Sequence, residues 1–417
     1  MDGIMTLIEL FDPCQLENAA GVVFLRPERA VYIGYADEMT PKRREKLSRF
    51  LERNVGTRYV EYINVPRDDF TEIERAVAYI ANKYSQGECV GGTECVFDLS
   101  GGDERIAAAF GSVAQVMKLC MVKSDIDGMR VLPLKNAEHF SESTRVHRVD
   151  ISINESVALY GGAVINEREA DCRRKLSRED RRDISALWNI CKSDTRLWNR
   201  QIAVLSALEQ NVKSGNTVDV RPRGVVFGRT ELPQKSFMES LVRSGLISAF
   251  RMSDAEISYS YKSDFVRRCM EKAGNALEYY VYMCAVTLSE SEEHFFGDVA
   301  VGVETDWDGI SGSGTRNEID VIAMRGLVPV FISCKNGGAK KEALYELDTV
   351  SHRYGGEHAV RILVTTRDRE NRAAREALIA RAEDMGIAVI GDTDVLSDRQ
   401  FTERLRRLCT KKGNAHR

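Results

Sequence analysis

Along residues 1–148, short apolar runs with strand-like alternation take turns with longer segments of helical spacing. MTLIELF (Met5–Phe11) and AVYIGYA (Ala30–Ala36) read as strands, with PKRREKLSRFLERN as a surface helix after them. TRYVEYINV is a third strand, followed by DDFTEIERAVAYIANKYS, a helix opened by acids as the helix dipole favours. CVFDLS then leads into GGDERIAAAFGSVAQVMKL. This βαβα series predicts a mostly parallel, doubly wound sheet.

From residue 149 to 263 the pattern loosens. SREDRRDISALW is a charged helix opened by a capping serine, and QKSFMESLVRSGLISAFRMSDAEISYSY reads as helix, turn and two-stranded wing. A winged-helix module and a plain connector both fit. From residue 264 to 417 the order is α-βββ-α-β. DFVRRCMEKAGNALEYYVYMCAVTL is one long helical pattern, and FFGDVAVGVETDW, NEIDVIAM and VPVFISCK are three strands. KKEALYELDTVSHRYGG is a helix and HAVRILVTT a strand, before a last helix and GIAVIGD. The Gly/Ser-rich DGISGSGT between the first two strands is expected to be a mobile loop. Three regions are thus expected, at 1–148, 149–263 and 264–417.

Composition narrows the chemistry. The 417 residues are 43% hydrophobic, enough for several cores, and the net charge of −4 argues against gripping nucleic acid over the whole surface. Ten cysteines lie scattered without a CxxC pair, only Cys89 and Cys95 being close, and six histidines form no HxH or HExxH pattern. Free thiols are expected, not a zinc site. The start has no basic, uninterrupted apolar leader and no window is apolar enough to span a bilayer, so a soluble, cytoplasmic protein is expected.

Two places carry candidate chemistry. In NEIDVIAM, Glu318, Asp320, Ile322 and Met324 share one strand face; in VPVFISCK, Pro329, Phe331, Ser333 and Lys335 do. With RGLV as a hairpin loop, Met324 lies opposite Pro329, Ile322 opposite Phe331, Asp320 opposite Ser333 and Glu318 opposite Lys335. The apolar half is core and the polar half converges. A solvated cross-strand Glu–Lys pair is the plain alternative. The other place is the pair of turns after the first and fourth strand patterns, DPCQLEN (Asp12–Asn18) and DLSGGDER (Asp98–Arg105), where ligands of doubly wound sheets sit. Gly101 and Gly102 allow close backbone approach, although on the sequence alone a plain tight turn with Ser100 as helix cap is the favoured reading.

The α-βββ-α-β order with Glu278 on its helix, Asp320 on the middle strand and SCK (Ser333–Lys335) on the next resembles the PD-(D/E)xK nuclease fold. DLSGG entering a helix resembles the CARF (CRISPR-associated Rossmann fold) domains. Together they resemble the Card and Can group of CRISPR ancillary nucleases, whose blocks AGNALEYYVY, NEIDVIAM, FISCKNG and ALYELDTVSHRYGG are similar to. The resemblance implies a Rossmann-like sensor fused to a metal-dependent endonuclease. It implies Mg²⁺ or Mn²⁺ held by Glu278, Asp320 and the Cys334 carbonyl, with Lys335 orienting the attacking water. Where that group carries an acid two residues before the lysine, this chain has Ser333. The missing charge is expected from Glu318, with Asp298, Glu342 and Glu346 as alternatives. The resemblance further implies a cyclic oligoadenylate activator, most simply cyclic tetra-adenylate across a twofold homodimer, and DNA or RNA as substrate. Gln15 and Asn18 would meet adenine or ribose; Ser100, Gly101, Gly102, Asp103 and Arg105 would line the phosphates. Asp103 and Glu104 depart from the group's TGGT-lysine pattern, which places the burden on backbone amides and Arg105.

A nucleotide-sensing, nucleic-acid-binding regulator with an inactive nuclease fold is the rival reading, and Ser333 is what favours it. A dinucleotide-dependent oxidoreductase is disfavoured by the absence of GxGxxG after the first strand.

Overall fold

The structure, a computed structural model, describes residues 5–85, 95–137, 140, 151–165, 172–209, 217–220, 225–226, 229–230, 232–253, 256–291, 293–307, 316–367 and 372–410. The loop expected at 308–315 and Cys89 of the close cysteine pair lie outside these residues.

The chain folds as a mixed α/β protein. Its first part runs β1 (Thr6–Leu10), α1 (Gln15–Leu25), β2 (Arg29–Gly34), α2 (Pro41–Asn54), β3 (Tyr59–Asn64), α3 (Phe70–Ser85), β4 (Cys95–Asp98), α4 (Glu104–Met117), β5 (Cys120–Asp125) and β6 (Arg130–Lys135). The sheet order is β3-β2-β1-β4-β5-β6, parallel except for β6 at the edge. The order reverses between β1 and β4, and the two turns read as candidate ligand sites follow those strands. β1 is buried along its whole length, as a central parallel strand covered on both faces must be. Pro133 sits in β6, where the sheet edge tolerates a residue without an N–H.

Next come α5 (Ile153–Leu159), β7 (Ala163–Val164), α6 (Arg178–Ser193), α7 (Thr195–Glu209), β8 (Thr217–Val220), β9 (Val225–Val226), β10 (Arg229–Thr230), α8 (Lys235–Arg243), β11 (Ile247–Met252) and β12 (Ile257–Tyr261). α6 opens with a capping box between Ser177 and Asp180. The helix, turn and two strands read from the sequence are present as α8, β11 and β12, and β8 adds a third strand.

The last part contains α9 (Asp264–Cys269), α10 (Asn275–Ser289), β13 (Asp298–Asp306), β14 (Arg316–Arg325), β15 (Val328–Lys335), α11 (Lys341–Gly355), β16 (Val360–Thr365), α12 (Arg372–Asp384), β17 (Ala388–Ile390) and α13 (Asp398–Thr410). Its sheet runs β17-β16-β15-β14-β13-β7, with an antiparallel meander at β13–β15 and parallel pairing at β15–β17. The single long helix expected from residue 264 is two helices. Asn275 Nδ2 donates to the Arg268 carbonyl at 2.8 Å, closing the first, and α10 restarts beyond Gly274. Apolar spacing continues through the break, so periodicity alone does not reveal it.

Candidate active site and ligand turn

The β14–β15 hairpin has the expected register. Met324 faces Pro329 and Ile322 faces Phe331, while Arg325 also pairs with Val328, which shortens the loop to Gly326 and Leu327. Gly326 takes φ +59°, the left-handed conformation such a tight connection needs. Past the last paired residues, Val321 and Ile332, the polar ends meet.

One oxygen of Asp320, Oδ2, receives three donors: the Ser333 hydroxyl at 3.2 Å, the Cys334 N–H at 2.7 Å and the Lys335 ammonium at 3.4 Å. Ser333 therefore stands where an acid was sought and serves as a donor to Asp320. Lys335 is partly buried, which lowers its pKa, but the charge and hydrogen bond of Asp320 outweigh burial and hold it above the usual lysine value. Cys334 touches Asp320 through its main chain, while burial raises its thiol far above the usual range and keeps it neutral.

Glu278 lies in the first turn of α10, which packs against β13, β14 and β15. Burial, then the charges of Asp320 and Glu318, push its carboxyl up to about 8. Glu278, Asp320 and Lys335 are thus brought into one electrostatic cluster. Glu318 lines the same cleft as Asp320 and Lys335, but no ion pair joins it to Lys335 among the described residues. It pairs with Lys272 at 3.4 Å on the exposed rim, and Lys335 takes Asp320 instead. Among the alternatives, Asp298 faces Met324, about 13 Å along the strand from Asp320. There it accepts the Ile153 N–H and pairs with Arg173. Glu342 is exposed on α11. Glu346 lines the same cleft as Asp320, Ser333 and Lys335, and its charge helps to raise Lys335.

Among the described residues no group of three or more His, Cys, Asp or Glu side chains is arranged to hold a metal ion. The donors present nevertheless suit a hard cation that keeps much of its water. Such ions are commonly held by one or two carboxylates plus a substrate phosphate. A cation shared by Glu278 and Asp320 would offset burial and the like charges that together raise the Glu278 carboxyl.

The switch-point turns are tied to each other. Gly102 donates its N–H to Asp12 Oδ2 at 2.7 Å, and Cys14 donates to Asp12 Oδ1 at 2.6 Å. Asn18 closes two bonds with the Asp12 main chain, accepting at 2.7 Å and donating at 2.8 Å, and is fully buried. Ser100 is not the helix cap; its hydroxyl donates to Asp98 at 2.6 Å, and the cap of α4 is Asp103, which accepts the Arg105 N–H. Gly101 and Gly102 take φ +63° and +74°, so an L side chain is strained at either. The Gln15 side chain is buried, and neither of its polar atoms has a hydrogen-bond partner among the described residues.

Sequence reasoning missed the groups that flank this turn. Tyr35 donates to Asp103 at 2.8 Å, and the guanidinium of Arg67 lies 4.0 Å from the Tyr35 ring centre. Beneath the turn Glu9 and Asp98, in register on β1 and β4, are a buried carboxyl pair. Burial raises both, and the charge of Asp98 raises Glu9 further. Aligned acids on neighbouring apolar strands were the available signal. A third missed group joins the two sheets' regions. His358, in the short helix Gly356–His358 after α11, reaches Glu17 of α1 at 2.7 Å and Asp127 at 3.5 Å.

Residues 266–408 match the family model described as Card1-like, endonuclease domain. No curated protein matches the chain. Among solved structures it is similar to protein VC1899 from Vibrio cholerae, with TM-score 0.72, 18% identity and 97% of each chain covered. It is also similar to Can2 from Sulfobacillus thermosulfidooxidans in complex with cyclic tetra-adenylate, with TM-score 0.66, 17% identity and 97% of each chain covered. The class is that of an α/β protein whose residues 266–408 match the Card1-like endonuclease model. The resemblance to CRISPR ancillary nucleases of the Card and Can type holds.

Proposed function

We propose that this protein is a divalent-metal-dependent endonuclease, switched on by a cyclic oligoadenylate in type III CRISPR defence, that hydrolyses DNA or RNA phosphodiester bonds. The observation that carries it is the electrostatic coupling of Glu278 to Asp320 and Lys335, the latter two lining one cleft, within residues that match a Card1-like endonuclease domain. Glu278 and Asp320 would hold Mg²⁺ or Mn²⁺, which when bound would supply an activated water and a counter-charge for the phosphate. Lys335, kept charged by Asp320, orients the water and offsets charge developing on the phosphate oxygens. Ser333 and the Cys334 N–H hold Asp320 in one rotamer, so less ordering is needed when substrate arrives.

The ligand turn supports the regulatory half. Cyclic tetra-adenylate would bind at the β1/β4 switch point of a homodimer, with Gln15 offering its amide to a base. The amides of Gly101 and Gly102 and the Arg105 guanidinium would serve the phosphates. Because the Gly102 N–H is engaged by Asp12, binding there exchanges that bond for one to the ligand. The contact of His358 with Glu17 supports a route from α1 to the short helix that directly follows α11, and α11 lines the cleft. A ligand that prefers one arrangement of α1 then biases the nuclease cleft by that preference.

The test is cleavage of plasmid, single-stranded DNA and RNA by the full chain with Mn²⁺, with and without cyclic tetra-adenylate. Ligand-dependent cutting is expected. Ligand binding without any cutting would favour the regulator reading, which the serine at position 333 motivates.

A further inference from the structure

The cleft above Asp320, about 490 Å³, is bordered on the α11 side by Tyr345 and Glu346 and on the β14 side by Arg316. α11 is amphipathic: Ala343, Leu344 and Leu347 are buried against the sheet, so packing places no demand on position 345. Yet that position carries an aromatic ring, 47% exposed. Of the exposed large apolar side chains among the described residues, Tyr345 alone lines this cleft. Its hydroxyl accepts a hydrogen bond from Arg381 of α12 at 2.8 Å, which fixes the tip and leaves the ring face available. Arg316 also lines the cleft, four residues along β14 from Asp320; its side chain is 66% exposed and lies 3.9 Å from the Glu304 carboxylate in a loose, solvent-exposed pair. Those four residues span about 13 Å of strand.

We propose that Tyr345 is a positioning residue that stacks on a nucleobase next to the scissile phosphate, while Arg316 meets the backbone on the other side of the cut. The inference rests on the endonuclease reading and adds to it. A base can stack on a side chain only when it is not already stacked within a duplex, so the cleft selects substrates presenting an unpaired or splayed nucleotide. Stacking is tolerant of base identity, so Tyr345 confers this selection without a sequence preference.

The experiment uses the full chain with saturating cyclic tetra-adenylate and Mn²⁺. In the Asp320→Ala background, a single-stranded oligonucleotide carrying 5-iodouracil at its thymine positions is irradiated, and adducts are mapped by mass spectrometry. An adduct on Tyr345 is expected; adducts confined to other residues overturn the proposal. In the otherwise wild-type chain, Tyr345→Ala is expected to raise KM for the single strand about tenfold with kcat within about twofold, the loss of roughly one stacked base. Tyr345→Phe keeps the ring and loses only the bond to Arg381, so it is expected to keep the wild-type KM. If Tyr345→Phe falls as far as Tyr345→Ala, the residue is a structural tie and the proposal fails; it fails equally if Tyr345→Ala is unchanged. These results are separable from failure of the endonuclease reading, which shows as cleavage undiminished in Asp320→Ala.

Discussion

The two six-stranded sheets each end in a polar cluster, and the clusters are balanced in opposite ways. At the β1/β4 switch point most polar groups of the turns satisfy one another: Asp12 holds Gly102 and Cys14, Asn18 holds Asp12, and Ser100 holds Asp98, while the Gln15 amide has no partner among the described residues. At the end of β14 and β15 the charges are left unbalanced. Three donors crowd one oxygen of Asp320, and Glu278 is forced toward its neutral form beside it. A self-satisfied turn must exchange internal bonds to admit a ligand, which suits a sensor. An unbalanced acid pair with a lysine gains most when a cation and a phosphate arrive, which suits a hydrolytic centre. The contrast lies in the hydrogen bonding of the two clusters, since buried carboxyls are raised at both.

The largest effect is expected at the unbalanced cluster. Lys335→Ala is expected to lower kcat by about 10²–10³-fold, the usual loss on removing a charge-stabilising donor. Single-turnover cleavage checks it, and ligand binding is expected to stay at the wild-type value. An activity within threefold of wild type would erase the distinction between the clusters.

The next effect sharpens the sensor side. At Gly102 a Cβ would collide with the Leu10 side chain, and φ is +74°. Gly102→Ala is expected to destabilise the chain by roughly 1–3 kcal/mol and to weaken cyclic tetra-adenylate binding. Thermal unfolding and a binding titration read the two consequences separately.

Titration gives two groups pH windows of the same sign, one lower and one higher. Glu278 has a folded pKa of about 8, raised above the usual carboxyl value by burial and by Asp320 and Glu318. Its contribution to stability is therefore present below about pH 4.5 and is lost as pH rises through 8. Metal-free protein is expected to lose several degrees in Tm between pH 5 and 8, and Glu278→Gln to flatten that slope. His358 is affected first by burial, which lowers it, but Asp127 and Glu17 overcome this and raise it to about 10. Its stabilising contribution is full below about pH 6.5 and is lost as pH rises through 10. Tm of the wild type is expected to fall over that upper range more steeply than Tm of His358→Ala.

The smallest effect is expected at Glu318. Its partner Lys272 is on the exposed rim, and such pairs contribute about 0–1 kcal/mol. Glu318→Ala is expected to leave Tm within a degree or two. Glu346→Ala, removing an acid whose charge acts on Lys335, is expected to reduce cleavage more than Glu318→Ala does.

Much of this architecture was legible because alternation is a strong signal. The buried faces of β14 and β15 set their register, and that register brings Asp320 beside Ser333 and Lys335. What alternation cannot report is which partner from a different element claims a side chain. Lys272, which pairs with Glu318, lies in the break between α9 and α10 that continuous apolar spacing conceals. β5 and β6 escaped notice because CMVKSD and RVLPLK alternate weakly and Pro133 resembles a strand breaker until the strand is seen at an edge. The link between His358 and Glu17 joins residues 341 positions apart, and no local pattern encodes it.

Manganese binding tests the central claim most directly. The full chain, titrated with Mn²⁺ while free ion is followed by electron paramagnetic resonance, is expected to bind with Asp320 and Glu278 in place and to weaken at least tenfold in Asp320→Ala and in Glu278→Ala. Lys335→Ala is expected to retain binding while losing cleavage. Wild-type affinity in the Asp320→Ala chain would contradict the account.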